Sequence, residues 1–242
     1  MTHVEPTADL TRLHVVVPVR SVSGGKVRLG AALDAEERET LIVGMLRHAL
    51  TVLRAWGVAE AVHVVSQDVT LLAHAVGEGA DPVLQDGRGG LNAAIVEGRT
   101  ATVAAGGSAM LVLPADLPAL TVASLERLMD AADAALAAGS GRPVVVLAPA
   151  DARGGTNALL VSPPDVIAPC FGAHSLEAHA SAAARADATL QLVVDAALGF
   201  DLDTPEDVDR LGVEALERLV ELGSVTASTT PQEPATAHAR PA

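Results

Sequence analysis

Tyrosine is absent from this sequence, and Trp56, Phe171 and Phe200 are its only aromatic residues besides histidine. Half of the residues are nevertheless hydrophobic, so any core is built from Ala, Val and Leu rather than from rings. Cysteine occurs once, at Cys170. That excludes an internal disulfide and a cysteine-based zinc site, and it suits a reducing cytoplasm, the expected location. No run of about 18 or more apolar residues is present, so no transmembrane helix and no membrane partner are expected. Met1 to Asp9 are polar and acidic and do not read as a signal peptide. Basic residues are scarce, 16 against 30 acidic, for a formal charge of −14. A field of that sign repels polyphosphate and argues against a nucleic-acid surface. A nucleotide site requires cations gathered locally and a divalent ion to offset the remaining charge, and clustered Asp side chains are what a hard cation takes. Three motifs are missing as well. There is no G-x-S-x-G, which argues against a serine hydrolase. The eight histidines contain no H-E-x-x-H, and no Walker-type G-x-x-x-x-G-K-[ST] occurs.

Charged residues make up 19% of the chain, and apolar runs recur along its body. Residues 1–11 lack periodicity and are expected to be flexible. Residues 223–242 are rich in Ser, Thr, Pro and Ala and are expected to form a disordered tail, because they cannot bury enough surface to offset their ordering entropy. Residues 12–222 read as one domain. Leu13–Val19 is a candidate buried strand. Asp34 with Glu37 reads as a capping box opening a helix whose apolar positions Leu41, Met45, Leu46, Ala49 and Leu53 share a face. Further strands are expected at Ala61–Ser66, Pro82–Leu84, Ala109–Leu113, Pro143–Ala148, Ala158–Ser162 and Leu190–Val194. Helices are expected at Val69–Gly77, Leu91–Ala104, from Thr121 to about Ala138, at Ser175–Arg185, and from Pro205, which suits a first helical turn. The alternation predicts an α/β fold with a mostly parallel sheet and helices on both faces. Ligands in such sheets bind beyond the carboxyl ends of the strands.

The residues with chemical character fall in those loops. Arg20, Gly24, Gly25, Lys26 and Arg28 follow the first strand. Glycines let backbone N–H groups approach phosphate oxygens, and the three cations can neutralise a triphosphate. Asp116, in Pro114-Ala115-Asp116-Leu117-Pro118, ends the most apolar strand, where a carboxylate is costly without a cation or donors. Its expected partner is Asp201 or Asp203, which alternate onto one side of an extended segment. Thr204, Pro205, Glu206 and Asp207 read as a helix start instead. Gly90 and Asn92 lie in a Gly-rich loop suited to a base or ribose. Thr156 and Asn157 follow a Gly-Gly turn and offer donors. Gly172 and Ser175 precede a helix, where backbone N–H groups form an anion site. His179, one turn after Ser175 on the same helix face, is placed to help line the site. His14, His48, His63 and His74 read as structural.

These clusters, in this order, resemble the guanylyltransferases of deazaflavin coenzyme F-420 biosynthesis, called CofC in archaea and FbiD in mycobacteria. The resemblance spans about residues 13–212. It is carried by V-P-V-R-x-x-x-G-G-K-V-R-L (Val17 to Leu29), G-G-L-N-A-A (Gly89 to Ala94), P-A-D-L-P (Pro114 to Pro118), G-G-T-N-A-L (Gly154 to Leu159), F-G-x-x-S-x-x-x-H (Phe171 to His179) and D-L-D-T-P-E-D (Asp201 to Asp207). The resemblance implies a Rossmann-like, GT-A type nucleotidyltransferase fold, GTP as substrate and Mg²⁺ as cofactor. It implies phosphoenolpyruvate as acceptor, with 2-phospho-L-lactate or 3-phospho-D-glycerate as alternatives. It places the acceptor on Thr156, Gly172 and Ser175. Arg20 departs from the lysine of many relatives: charge is kept, but a guanidinium is a fork rather than a point charge. The resemblance also implies hand-off of the product to a transferase using a deazaflavin acceptor, and a homo-oligomer is compatible with it.

The sequence therefore yields catalytic candidates Lys26, Arg28 and Asp116. Nucleotide-binding candidates are Arg20, Gly24, Gly25, Lys26, Gly90 and Asn92, and metal-ligating candidates are Asp116, Asp201 and Asp203. Two further readings stay open at this level. One is a related nucleotidyltransferase acting on another phosphorylated acceptor. The other is a non-catalytic nucleotide-binding relative.

Overall fold

Strands made almost wholly of Val, Leu and Ala need cover on both faces, and the chain provides it. In the computed structural model the residues described are 7–20, 26–31, 33–86, 89–139, 141–151 and 154–225. Seven strands form one sheet: β1 (Leu13–Pro18), β2 (Ala61–Ser66), β3 (Asp81–Leu84), β4 (Ala109–Val112), β5 (Val144–Pro149), β6 (Thr156–Ser162) and β7 (Thr189–Leu192). Their order is β3-β2-β1-β4-β6-β5-β7. All neighbours are parallel except those involving β6, which runs antiparallel to both β4 and β5. The fifth and sixth strands pair, with Val146 opposite Leu160. Pro82 sits in β3, at an edge of the sheet, where its missing N–H costs least.

The two-residue period of the strands sorts the core into two layers. Val15, Val17, Val64, Leu111, Val146 and Leu160 face one side. There they meet α1 (Ala35–Trp56), α2 (Val69–Gly77), α4 (Val122–Gly139) and α8 (Val213–Ser224). Val16, Val65, Met110, Val112, Val145 and Leu159 face the other, under α3 (Leu91–Ala104) and α5 (Ser175–Arg185). Gly98 lets α3 lie close to the sheet, since a Cβ there would come within 2.4 Å of Val16 Cγ1. The capping box read from Asp34 and Glu37 is formed in both directions, and Thr204 and Asp207 form a second one at α7 (Pro205–Leu211).

Some elements differ from expectation. A 3₁₀ turn, Val27–Ala31, continues the cationic loop, and a four-residue helix α6 (Ala196–Gly199) precedes the late acidic segment. Helix α8 reaches Ser224 and so overlaps the start of the expected tail. Its apolar stripe docks on α1 with Leu219 buried. Near the other terminus Ala8 is buried. The Asp9 N–H donates to Ser162 Oγ at 2.8 Å, and that hydroxyl in turn faces the Asp9 carbonyl at 2.8 Å. Composition alone gave no sign of this docking. Among the described residues, no helix is long and apolar enough to cross a membrane.

Candidate active site

The parallel strands β1 and β4 end at the same edge of the sheet, and antiparallel β6 begins there. That is why Thr156 and Asn157, at the start of their strand, share a cleft with Arg20 and Asp116, which follow the ends of theirs. The loop before α5 adds Gly172, α5 adds its first residue, Ser175, and the segment after α6 adds Asp201 and Asp203. Together they line a cavity of about 680 Å³, within the range of small-molecule sites. Lys26 and Arg28 line it too, whereas Gly24 and Gly25 lie outside the described residues. A smaller cavity of about 260 Å³ adjoins it, lined by Gln67, Gln85, Gly89 and Gly90, and shares Pro18, Val19, Arg20 and Leu91 with it.

Lys26 is the hub of the cleft. Its backbone has a φ of 52°, a left-handed conformation that a side-chain-bearing residue adopts at a cost. Its side chain is only 11% exposed, and Nζ donates to Asp116 Oδ2 at 2.7 Å and to Asp203 Oδ1 at 2.5 Å. Burial by itself would lower the ammonium pKa. The charges and hydrogen bonds of Asp116 and Asp203 outweigh it and raise the pKa instead. Asp201 is pushed upward, first by burial and then by the neighbouring charges of Asp116 and Asp203, against one amide contact from Asn157 Nδ2 at 3.4 Å. The backbone ties the two acidic loops together: Leu202 N–H donates to the Asp116 carbonyl at 3.1 Å. The metal candidates Asp116, Asp201 and Asp203 are thus brought within electrostatic reach of one another. Among the described residues no three His, Cys, Asp or Glu side chains stand in a ready-made metal-binding arrangement, and the Lys26 ammonium bridges Asp116 and Asp203.

Asp207 accepts from the backbone N–H of Asp203 at 3.0 Å and of Thr204 at 2.8 Å. Burial would raise its pKa, but these donors, the Thr204 hydroxyl and the charge of Arg210 hold it below the ordinary range. It shapes the acidic turn, as the reading of this segment as a helix start anticipated.

The opposite wall is uncharged. Thr156, Ser175 and His179 are buried, and their polar atoms contact one another: Ser175 Oγ donates to Thr156 Oγ1 at 3.1 Å, and Thr156 Oγ1 lies 3.2 Å from His179 Nδ1. Gly172 has a φ of 133°, which a side chain disfavours, and a Cβ there would meet nothing within 4 Å. Its backbone is therefore open to an approaching ligand. Gly90 caps α3 and lines the smaller cavity. Asn92 lines neither cavity: Nδ2 donates to the Phe171 carbonyl at 3.0 Å, and Oδ1 accepts from the Phe171 N–H at 2.8 Å. It fixes the loop that carries Gly172.

No motif or spacing singles out Arg210, Asp151 or Phe200, yet all three line the cleft. Arg210 pairs with Asp151 at 2.6 Å, and its guanidinium carbon lies 4.4 Å from the centre of the Phe200 ring. The one available signal was that Arg210 stands one turn beyond Asp207 on the same helix.

The sheet carries a cationic loop and an acidic cluster at one end of its strands, and solved nucleotidyltransferases share its fold. A nucleotidyl transferase from Methanothermobacter thermautotroptrophicus superposes with a TM-score of 0.61 at 18% identity, covering 85% of this chain and 98% of that one. The sequence model described as "Guanylyl transferase CofC like" matches residues 13–217, and this chain belongs to that family. It is 42% identical to the phosphoenolpyruvate guanylyltransferase of Rubrobacter xylanophilus, over 81% of this chain and 91% of the relative. It is 40% identical to the enzyme of the same name from Sphaerobacter thermophilus, over 83% and 92%. The 3-phospho-D-glycerate guanylyltransferase of Colwellia psychrerythraea is 29% identical, over 84% and 92%.

Proposed function

We propose that this guanylyl transferase moves GMP from GTP to phosphoenolpyruvate, releasing pyrophosphate and enolpyruvyl-diphospho-5'-guanosine. The observation that carries the proposal is the convergence, in one cleft, of the cations Arg20, Lys26 and Arg28, the carboxylates Asp116, Asp201 and Asp203, and the uncharged wall of Thr156, Gly172 and Ser175. The identity of about two-fifths to relatives named for phosphoenolpyruvate supports the acceptor. In the reaction an oxygen of the acceptor phosphate forms a bond to the α-phosphorus of GTP, and the bond from that phosphorus to the leaving pyrophosphate breaks. The acceptor is already an anion, so no strong general base is needed, and catalysis consists of positioning and charge neutralisation.

Thr156, the Gly172 backbone and Ser175 hold the acceptor. Lys26, Arg20 and Arg28 lie along the triphosphate and neutralise the leaving pyrophosphate. Asp116 and Asp203 share a single ammonium, and Asp201 stands near them with its pKa raised by burial and then by their charges; carboxylate oxygens are the donors that a hard cation takes. Asp116 with Asp201 or Asp203 would hold Mg²⁺, which when bound supplies charge neutralisation at the reacting phosphates. The smaller cavity beside Arg20, Gln67 and Gln85 suits the base. The chain would act in the cytoplasm as part of deazaflavin coenzyme F-420 biosynthesis, passing its product to a transferase with a deazaflavin acceptor.

The test is pyrophosphate release with GTP and Mg²⁺, comparing phosphoenolpyruvate, 2-phospho-L-lactate and 3-phospho-D-glycerate, with ATP as control. Release with GTP and phosphoenolpyruvate alone is the expected result. Release with 3-phospho-D-glycerate instead would move the acceptor to that of the Colwellia relative. Release with none of the acids would overturn the proposal.

A further inference from the structure

His179 is fully buried, and no part of it reaches the cleft, yet its two ring nitrogens are both engaged. Nε2 lies 2.8 Å from the backbone nitrogen of Cys170. A backbone N–H can only donate, so Nε2 is an acceptor and carries no proton. A neutral imidazole that accepts at Nε2 bears its proton at Nδ1. Burial keeps the ring neutral, lowering its pKa to about 4. Nδ1 faces Thr156 Oγ1 at 3.2 Å, and in this tautomer it donates there. Ser175 Oγ donates to the same oxygen at 3.1 Å. A threonine hydroxyl has two lone pairs and one proton. With both lone pairs taken, Thr156 retains only its own O–H, on a residue that lines the cleft.

We propose that His179 is a positioning residue that fixes the Thr156 hydroxyl as a hydrogen-bond donor to an anionic oxygen of the acceptor. The chain Cys170 N–H to His179 to Thr156 sets the direction of a rotor that would otherwise be free. Two donors on one oxygen also polarise its remaining O–H. The edge of the Phe171 ring against His179, with centroids 4.9 Å apart, and the two Asn92 bonds to Phe171 keep the imidazole and the Gly172 loop in one register. The wall so built accepts an oxyanion and rejects a donor at that point, which suits a phosphorylated carboxylic acid.

The inference rests on the acceptor reading above, and the experiment separates the two. The Michaelis constants for GTP and for phosphoenolpyruvate are measured in the full chain and in His179→Phe, Thr156→Val and the double variant. Loss of a hydrogen bond to a charged group predicts roughly a tenfold or greater rise in the acceptor KM for each single variant, with the GTP KM unchanged. Because His179 acts through Thr156, the double variant should be no worse than Thr156→Val alone. Additive defects, or an equal rise in the GTP KM, would overturn the inference. Should His179→Phe fail to fold, His179→Asn decides alone, because it keeps a donor at the Nδ1 position while losing the acceptor for Cys170. An acceptor KM near that of the unaltered chain supports the inference; a rise like that of Thr156→Val overturns it. An unaltered chain that turns over none of the acids would sink the acceptor reading itself. An unaltered chain that turns over phosphoenolpyruvate and is unaffected by His179→Phe would sink only this inference.

Discussion

At the residue scale, Asp116 and Asp201 stand in different surroundings within one cluster. Asp116 is paired to Lys26, so Asp116→Asn should leave the fold intact while turnover falls by on the order of a hundredfold. Unchanged turnover would remove Asp116 from the machinery. Asp201 is held above its ordinary pKa by burial and by its acidic neighbours. Its charge therefore opposes folding at pH above both its unfolded and folded values. Asp201→Asn should raise Tm by a few degrees at pH 7 while lowering activity, the exchange expected where function requires an unfavourable charge. Scanning calorimetry beside an activity assay checks both. For His179 the sign is reversed in pH. Its folded pKa of about 4 lies below the unfolded 6.5, so its contribution is complete above about pH 6.5 and is lost as pH falls through that window. The loss is on the order of 3 kcal/mol. His14, His48, His63 and His74 are also lowered, chiefly by burial, and push the same way. The diagnostic is thus the difference: urea midpoints of His179→Phe should fall less steeply between pH 6.5 and 4 than those of the unaltered chain.

At the scale of elements, the pairing of α1 with α8 depends on two glycines facing opposite backbones. A Cβ on Gly44 would come within 1.8 Å of the Leu219 carbonyl oxygen, and one on Gly223 within 1.9 Å of that of Thr40. Arg47, buried on α1, donates from Nη1 to the Leu222 carbonyl at 2.7 Å and so satisfies an end of α8. Alanine gains up to about 1 kcal/mol over glycine in a helix, but here the clash is with backbone and cannot relax by a rotamer change. Gly44→Ala should cost on the order of 1–3 kcal/mol in denaturant unfolding. Gly77→Ala, on α2 with nothing within 4 Å of the added Cβ, is the control and should be neutral or stabilising. Equal effects of the two would mean that the close approach of α8 does not govern stability. Helix α8 escaped the reading of the sequence for a related reason. Its stripe of Leu216, Leu219 and Val220 follows a helix start at Pro205 without a new cap side chain, since Gly212 stands at its N-cap.

For the whole molecule, the formal charge of −14 opposes the approach of a triphosphate, and the site must offset this locally. Arg20, Lys26, Arg28 and Arg210 all line the cleft, but Asp116, Asp151, Asp201, Asp203 and Asp207 line it with them. A divalent cation should therefore be needed for nucleotide binding as well as for turnover. GTP with Mg²⁺ at about a hundred times Kd should stabilise the fold by about 2.7 kcal/mol, visible as a rise in Tm. GTP with excess chelator should give a clearly smaller rise. An equal shift in both conditions would count against metal-assisted binding.

The sequence by itself determined the alternation of strands and helices, the capping box at Asp34, the helix start at Thr204, and the list of chemically active loops. Each of these is a local property, written in hydrophobic period, cap chemistry and the placement of charge beside glycine. Only the tertiary structure decided that Lys26 bridges Asp116 and Asp203, residues 90 and 177 positions away. It alone turned Asn92 toward the Phe171 backbone, brought Arg210 and Asp151 into the cleft, and set His179 behind Thr156. Those contacts depend on strand order, on the reversed direction of β6 and on distances of a few ångströms between loops far apart in the chain. A one-dimensional pattern lists the residues that can act, but which of them meet is settled when the sheet closes over its core.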